Sequence, residues 1–307
     1  MDEVRKPRRL RVGDRVAVVA TSGPVVEARL EVGLKLLREW GLDPVVMPSV
    51  LARHEVFPYL AGDDAARAKD FRDAWLDPQY QAVLCARGGY AAQRMLQQLD
   101  LAELTSAPDK LLLGFSDVTV LHEVFLSAGL VTVHGPMVAA VEQLAVEASR
   151  DRLRALLFEP ESITDLLAPS AARTLVSGRA EGRLLGGNLA MLASSLGTPT
   201  ELRPDGAIVV LEDVGEDVYR LDRLFTQLLR AGWFDRVAGL VIGDFTEAEG
   251  PGRVEDLVHD RLAPLAIPMV GQVPVGHADL NLAVPLGAPV VLDATAATLT
   301  MSESPFI

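Results

Sequence analysis

A serine lies where an apolar run of residues gives way to a helical pattern. The run Leu111–Leu113 is typical of a buried strand and stops at Gly114, and Ser116 follows two residues later. A serine on a tight strand-to-helix turn presents its hydroxyl to solvent, and the N–H groups of the turn and of the new helix can stabilise an oxyanion beside it. The spacing Gly-Phe-Ser-Asp-Val differs from the usual Gly-x-Ser-x-Gly, and Ser-Asp at a helix start is also typical of an N-cap. The stretch therefore indicates either a nucleophile elbow or a helix cap.

A serine nucleophile needs a base, and five histidines could supply it. His134 ends a predicted strand, and His277 lies in a turn of small residues after another strand. We expect His122 to pack or to face solvent, His259 to lie on a charged surface helix, and His54 to lie in a segment without a pattern. The residues alone leave the choice between His134 and His277 open.

The base in turn needs an acid, and Glu212 is the strongest candidate. It is the first charge after five apolar residues that end in Leu211. A carboxylate at the end of an apolar strand is costly to bury unless another group pairs with it. We expect Asp213, Glu216 and Asp217 to face water or to cap the helix that follows.

Two other features suggest chemistry that the pattern does not favour. Cys85 lies inside an apolar run, so a buried small hydrophobe is a better interpretation than a thiol nucleophile. Gly88 and Gly89 lack the signatures of phosphate-binding loops. Because Cys85 is the one cysteine, an intrachain disulfide and a cysteine metal cluster are excluded.

Alternating strands and helices in the first half predict the scaffold for these groups. Apolar runs predict strands, and residues 27–40, 63–77 and 118–128 have helical spacing. A further helix is predicted to run through Met95 and Leu96, and a long helical segment continues to about Phe158. Such alternation indicates a mostly parallel sheet with helices on both faces, in which sites form at the carboxyl ends of the strands. Three of these ends carry small residues, in Thr21–Pro24, Arg87–Gly89 and Gly114–Asp117.

The second half has a different pattern, with predicted strands at 206–211, 238–243 and 290–292 and a helix at 220–231. We therefore predict an α/β protein with two domains. Residues 1–160 form a Rossmann-like parallel-sheet domain that carries the nucleophile elbow. Residues 175–307 form a smaller, strand-rich α+β domain that carries the candidate acid and His277.

Charge and hydropathy limit the partners. The net charge of −13 argues against nucleic acid and anionic membranes, which require clustered positive charge. The basic residues 5–9 are predicted to form a solvated tail, and no apolar run is long enough to span a membrane. The single cysteine fits a cytoplasmic location.

Six motifs together resemble those of the LD-carboxypeptidases, the muramoyl-tetrapeptide carboxypeptidases whose family also includes the microcin-C self-immunity peptidases. The resemblance extends from about Arg15 to Leu299. One departure is Ala91, where the family often has glycine. The motifs are Leu84–Tyr90, Gly114–Asp117, His134–Pro136, Gly186–Leu189, Leu211–Arg220 and Gly276-His277.

The resemblance implies a Ser-Glu-His triad of Ser116, Glu212 and His277 that is shared between the two domains. It also implies an oxyanion hole formed by the backbone N–H groups of Gly88 and Asp117. No metal or other cofactor is implied, and the family suggests a homodimer. The resemblance thus selects His277 as the base.

The function implied is hydrolysis of the bond between an L-diamino acid and a terminal D-alanine in murein tetrapeptide, during peptidoglycan recycling. Arg87 is the predicted partner of the terminal carboxylate, because a guanidinium binds a carboxylate in two prongs. Asn188 and Arg220 are further predicted substrate contacts. Two alternatives remain: an amidase that cleaves aminoacyl-nucleotides, and a non-catalytic α/β ligand-binding protein.

Overall fold

The computed structural model describes residues 4–307, and its first sheet contains the predicted parallel strands. They run parallel in the spatial order β5-β4-β3-β1-β2. Their sequences are mostly apolar because helices cover both faces of the sheet. The strands are β1 (Arg15–Val19), β2 (Asp43–Val46), β3 (Ala82–Cys85), β4 (Leu111–Gly114) and β5 (Thr132–His134).

Within residues 4–307, seven helices pack on this sheet. They are α1 (Glu27–Glu39), α2 (Asp64–Leu76), α3 (Ala92–Leu96), α4 (Leu101–Ser106), α5 (Thr119–Ser127), α6 (Val141–Ala145) and α7 (Glu147–Phe158). The apolar side chains of α1, α6 and α7 form the core on one face, and those of α2 to α5 form the core on the other. The long helix predicted to reach Phe158 is two helices, because the backbone at Val146 is extended.

The second half forms a seven-stranded sheet. Strands β7 to β10 are its parallel centre, and its spatial order is β13-β12-β7-β8-β9-β10-β6 with antiparallel edges. The elements in chain order are β6 (Arg173–Val176), β7 (Arg179–Asn188), α8 (Leu189–Ser194), β8 (Ile208–Val214), α9 (Val218–Arg230), β9 (Gly239–Thr246), α10 (Val254–Leu262), β10 (Met269–Gly271), β11 (Val284–Leu286), β12 (Pro289–Asp293) and β13 (Thr298–Met301). The predicted fold class, a parallel-sheet α/β half followed by a strand-rich half, is confirmed.

Several contacts join the halves, and two of them hold the strands and the helix next to Ser116. Strand β11 pairs antiparallel with β5 and becomes the edge of the first sheet, with Val284 opposite His134. The end of β7 lies against the start of α5, where a Cβ on Gly187 would lie 2.7 Å from Oγ1 of Thr119. The N–H of Asn188 donates to the same hydroxyl oxygen at 3.1 Å. The helix that follows Ser116 is therefore held by the second half of the chain.

The basic stretch 5–9 is not a solvated tail, so that prediction is wrong. The N–H of Arg5 donates to the carbonyl of Gly129 at 2.9 Å, and its guanidinium donates to the carbonyl of Thr105 at 2.7 Å. Leu10 is 1% exposed. The segment packs because its backbone finds partners on the first half and at the C-terminus. Of the helices within residues 4–307, none has the length and apolar character to cross a membrane.

Candidate active site

Ser116 lies on a strained turn at the carboxyl end of β4. Phe115 keeps the extended backbone of the strand, Ser116 adopts a left-handed φ of 65°, and a short 3-10 turn at Ser116–Val118 leads into α5. A left-handed φ at a residue with a Cβ costs on the order of 1 kcal/mol, so the surrounding structure must hold it. As a result, the Ser116 side chain lines a cavity of about 540 Å³. This is the geometry of a nucleophile elbow.

The loop after β3 lies directly against Ser116. A Cβ on Gly88 would lie 3.0 Å from Oγ of Ser116 and 2.9 Å from its Cβ. Only glycine therefore allows the two loops to approach this closely. Gly88 and Gly89 both line the cavity, so the backbone of Gly88 lies beside the serine, where an oxyanion donor is needed.

The buried side chain of Asp117 connects the loop after β4 to the loop after β3. Its side chain is 2% exposed, and Oδ2 accepts a hydrogen bond from the N–H of Ala92 at the start of α3, at 2.8 Å. Burial raises the pKa of Asp117, while hydrogen bonds from Ser22 and Ala92 act in the opposite direction. The backbone N–H of Asp117 lies in the first turn of a helical segment, where N–H groups lack an intrahelical partner. That N–H is the second predicted oxyanion donor.

The second half brings a histidine and a buried carboxylate to the same cavity. His277 lines the cavity together with Ser116 and Phe115. Its Nδ1 is 2.7 Å from Oε2 of Glu212, whose side chain is fully buried at the end of β8. Because Nδ1 bonds Glu212, Nε2 is the ring nitrogen of His277 that remains to act on a serine, as a Ser-His-acid triad requires.

The first half contacts the histidine turn at two places. The ring of Phe115 lies 4.8 Å from the His277 ring between centroids. Nε2 of Gln143, from α6, donates to the carbonyls of Gly276 at 2.9 Å and Ala278 at 3.0 Å. The position of His277 is therefore set by both halves.

Three carboxylates lie close to His277: Glu212 and Asp213, which are buried, and Asp244, which is half-buried. Burial by itself lowers the pKa of His277, but the hydrogen bond and charge of Glu212, with the charges of Asp213 and Asp244, raise it above its ordinary value. Burial and the charge of Glu212 raise the pKa of Asp213 to about 6 and that of Asp244 to about 7. The carboxylate of Asp244 accepts a hydrogen bond from the backbone of Ala278, next to His277. The site therefore favours an imidazolium.

The competing base His134 lies behind the elbow. It is fully buried, and neither ring nitrogen has a hydrogen-bond partner among residues 4–307. Burial lowers its pKa well below the ordinary value, and His122 and His277 add to the effect. Nε2 of His122 lies 2.9 Å from the carbonyl of Gly114, and burial lowers the pKa of His122 to about 4. The geometry favours His277 over His134, in agreement with the resemblance.

Two expectations about other chemical groups have clear outcomes. Burial raises the pKa of the Cys85 thiol to about 12, which fits the buried hydrophobe that was predicted. The prediction that Asp213 faces water or caps the following helix is wrong. It is 3% exposed and accepts hydrogen bonds from Nδ2 of Asn188 at 3.2 Å and the N–H of Ala190 at 2.9 Å.

Within the described chain, no group of three or more His, Cys, Asp or Glu side chains could hold a metal ion.

The three predicted substrate contacts lie in different places. Arg87 lines the cavity, and its guanidinium donates to the carbonyl of Pro24 at 3.2 Å. Asn188 is buried and caps α8, accepting a hydrogen bond from the N–H of Met191. Arg220 is on the exposed surface of α9 beside Tyr219. Of the described residues that line the cavity, Arg87 is the one that belongs to this predicted set.

Sequence reasoning missed several residues of the site. Phe115 and Gln143 contact the histidine turn, but nothing in their local patterns distinguishes them from core or surface residues. Asp244 follows an apolar strand as Glu212 does, so the same signal was available for it. Ala91 adopts a left-handed φ of 101°, which explains why glycine suits that position in the family.

Comparison with known sequences matches both halves of the chain to one family. A family model of the LD-carboxypeptidase N-terminal domain matches residues 16–135, and one of the C-terminal domain matches residues 181–292. A putative carboxypeptidase of Streptomyces coelicolor is 50% identical over 99% of this chain and 98% of its own length. The murein tetrapeptide carboxypeptidase of Pseudomonas aeruginosa is 34% identical over 92% of this chain and 94% of its own.

Solved structures share the fold over nearly the whole chain. The muramoyltetrapeptide carboxypeptidase from Oxalobacter formigenes superposes with a TM-score of 0.78 at 28% identity, covering 93% of this chain and 97% of its own. MccF in complex with glutamyl sulfamoyl guanosine superposes with a TM-score of 0.88 at 21% identity, covering 98% and 99%. The second likeness establishes the fold alone.

Proposed function

The chain belongs to the LD-carboxypeptidase family, and on that premise we propose that it is a serine carboxypeptidase acting on murein tetrapeptide. In this proposal it hydrolyses the bond between the L-diamino acid and the terminal D-alanine, in peptidoglycan recycling. The catalytic residues are Ser116, His277 and Glu212. The observation that carries the proposal is that Ser116 and His277 line one cavity while Nδ1 of His277 bonds the buried Glu212 at 2.7 Å.

The reaction begins with proton transfer from Ser116 to His277. Nε2 of His277 takes the hydroxyl proton as Oγ of Ser116 attacks the peptide carbonyl. The raised pKa of His277 fits this role, because Glu212 stabilises the imidazolium that forms. The N–H groups of Gly88 and Asp117 bind the oxyanion, and the loss of one such donor costs about 10²- to 10³-fold in rate.

The same histidine completes the cycle. The imidazolium of His277 donates its proton to the amine of the departing D-alanine as the C–N bond breaks, which leaves an acyl ester on Ser116. A water molecule then attacks the ester with His277 as base, and Ser116 regains its proton as the tripeptide acid leaves.

Two arginines line the cavity, and they differ in the partners that they already have. Arg29 is held by Glu142 in a two-pronged ion pair, with Nη1 2.7 Å from Oε1. Arg87 forms no ion pair within the part of the chain that the structure describes, and it donates to the carbonyl of Pro24. We propose that Arg87 binds a carboxylate of the substrate through its guanidinium.

The strand order suggests which carboxylate of the substrate Arg87 meets. His277 contacts Phe115 after β4 and Gln143 on α6, and it must lie on the leaving-group side because it protonates the amine. Arg87 follows β3, on the other side of β4. We therefore propose that Arg87 binds a carboxylate of the acyl part of the substrate rather than the terminal one expected from the sequence.

An amidase that cleaves aminoacyl-nucleotides is the second candidate, because the MccF structure has the same fold. The triad and oxyanion hole would be unchanged. The cavity has Phe115 as its aromatic wall residue, and the His277 ring already packs against it. The wall therefore offers little surface on which a nucleobase could stack, which favours the peptide substrate.

A product assay distinguishes these functions. The purified protein is incubated with tetrapeptides that carry L-Lys or meso-diaminopimelate before D-alanine, and separately with an aminoacyl sulfamoyl adenosine. Release of D-alanine supports the proposal, and cleavage of the nucleoside compound alone would replace it with the amidase. Covalent labelling of Ser116 by a serine-reactive probe, absent in Ser116→Ala, tests the serine mechanism. Failure to label either protein would favour the non-catalytic alternative.

We also propose that the protein acts in the cytoplasm as a homodimer. The single cysteine and the recycling of murein peptides fit that compartment. Light scattering coupled to size exclusion measures the mass directly, and the monomer mass of 33.0 kDa would contradict the dimer.

A further inference from the structure

Three aromatic side chains form an exposed surface next to the catalytic cavity. Phe57, Tyr59 and Tyr90 are 40%, 51% and 52% exposed. Their ring centroids are 5.8 Å apart between Phe57 and Tyr59 and 6.0 Å apart between Tyr59 and Tyr90. We call these three residues the aromatic surface.

Other aromatic side chains in the same half of the chain are buried. Phe71, Trp75 and Phe125, in the same half, are at most 2% exposed and pack against one another. Scattered exposed apolar residues are ordinary, but a contiguous exposed aromatic group is typical of a binding site.

The aromatic surface is continuous with the catalytic cavity. Tyr59 and Tyr90 line an open groove of about 630 Å³ together with Arg87 and Gly89. Arg87 and Gly89 also line the cavity that contains Ser116. A molecule bound at Ser116 that extends past Arg87 and Gly89 therefore reaches the aromatic surface.

The strand order indicates which end of the substrate extends there. Tyr90 follows β3 and Tyr59 follows β2, whereas His277 lies on the β5 side of Ser116. His277 marks the leaving-group side under the proposed function, on which this inference rests. The aromatic surface is thus on the acyl side, where the N-terminal part of the peptide must lie.

The distances fit the length of the peptide. Adjacent strands are about 4.8 Å apart, so the aromatic surface lies roughly 5–14 Å along the sheet edge from Ser116. Removal of one residue from a tetrapeptide leaves three on the acyl side, and three extended residues span about 10 Å. A group attached to the amino end of the peptide therefore reaches the aromatic surface.

We propose that the aromatic surface binds the sugar ring of the muramoyl group at the amino end of the substrate. A pyranose has an apolar face of C–H groups that can pack on an aromatic ring, and its hydroxyls can bond tyrosine hydroxyls. The rings are tilted by 42° and 59° to one another, which gives a curved surface rather than a flat stack. A nucleobase does not fit this place, because in an aminoacyl sulfamoyl nucleoside the nucleoside is on the nitrogen side of the acyl bond.

The test compares two substrates that differ only in the sugar: muramoyl-tetrapeptide and the free tetrapeptide. We expect Tyr59→Ala to lower kcat/KM for the muramoyl substrate by about 5- to 10-fold and to leave the free tetrapeptide within about twofold. Tyr80→Ala is the matched control, since Tyr80 precedes β3 and so lies at the amino ends of the strands, away from the carboxyl ends that carry Ser116. The control should leave the ratio of the two kcat/KM values unchanged.

An equal loss for both substrates, or no loss for either, would overturn the inference. Circular dichroism of Tyr59→Ala excludes misfolding as the cause. If the wild-type protein cleaves neither substrate, the proposed function fails, and calorimetry with the muramoyl-tripeptide then tests the aromatic surface separately. Weaker binding to Tyr59→Ala than to wild type supports the inference, and equal or absent binding to both overturns it.

Discussion

The two halves of the molecule supply the candidate active site in different ways. The first half contributes backbone shape: a left-handed Ser116 and a glycine at 88 that lies against it. The second half contributes buried charge: Glu212 bonded to His277, with Asp213 and Asp244 close by. The first half thus positions the backbone around Ser116, and the second half sets the pKa of His277.

This difference predicts two kinds of failure. A change of shape in the first half should lower the rate equally at every pH, because no titrating group is altered. A change of charge in the second half should also move the pH at which activity appears, because activity requires neutral His277 and its pKa is raised by the carboxylates around it. The pH profile therefore identifies which half a variant has damaged.

The largest effect is expected at the base. His277→Ala should lower kcat by about 10⁵- to 10⁶-fold, because Ser116 then loses the group that takes its proton. Steady-state hydrolysis of the tetrapeptide measures this.

His134→Leu is the matched comparison. The ring nitrogens of His134 have no partner within residues 4–307, so an apolar side chain of similar size should retain activity within about threefold. Loss of turnover in His134→Leu with activity kept in His277→Ala would show that the wrong histidine is assigned.

The next effect is expected at the acid. Glu212→Gln should lower kcat about 10⁴-fold, because the amide neither stabilises the imidazolium nor selects the tautomer. It should also move the acid limb of the kcat/KM profile to lower pH, because burial, which lowers the pKa of His277, is then opposed less. A rate loss with an unchanged limb would mean that Glu212 does not set the pKa of the base.

A smaller effect is expected in the first half. Gly88→Ala places a Cβ 3.0 Å from Oγ of Ser116, so the loop must move and its N–H leaves the oxyanion. We expect a loss of about 10²- to 10³-fold in kcat at every pH, with the acid limb unchanged. A shifted limb in Gly88→Ala would contradict the division of roles between the halves.

The sequence indicated those parts of the site that depend on local pattern. Ser116 and Glu212 each follow an apolar strand, so the sequence pattern alone indicates a candidate catalytic residue at both strand ends. The sequence pattern does not decide between His134 and His277, because that choice depends on which histidine faces the cavity after the sheets pack. Asp213 was placed wrongly for a related reason: adjacent strand residues face opposite sides, but here both Glu212 and Asp213 are buried.

Prediction of the fold from the sequence has the same limit. The parallel strands of the first half are short apolar runs and were predicted. Strand β7 begins with charged residues and ends in Gly186-Gly187-Asn188, so its pattern resembles a loop that leads into a turn. Strand β11 has three residues, and its pairing with β5 depends on a contact between distant parts of the chain. Neither feature has a local signal.

The smallest effect, and the sharpest test of the charged half, is expected at Asp244. Its pKa is about 7 in the fold and 3.8 in its ordinary state, so the folded protein binds the Asp244 proton more tightly than the unfolded chain does. The stability from this proton is complete below about pH 3.8 and is lost as pH rises through about 7. Asp244→Asn carries no such proton, so its stability relative to wild type should rise between pH 4 and pH 8.

The total gain should be about 1–2 kcal/mol after allowance for the partial exposure of Asp244. The amide oxygen can still accept the hydrogen bond from Ala278, so kcat should fall only about two- to fivefold, with the acid limb moved slightly to lower pH. Urea unfolding of both proteins at a series of pH values measures the difference in stability. A difference that stays constant with pH would mean that Asp244 is ionised over this whole range, and its negative charge would then add to those of Glu212 and Asp213 around His277.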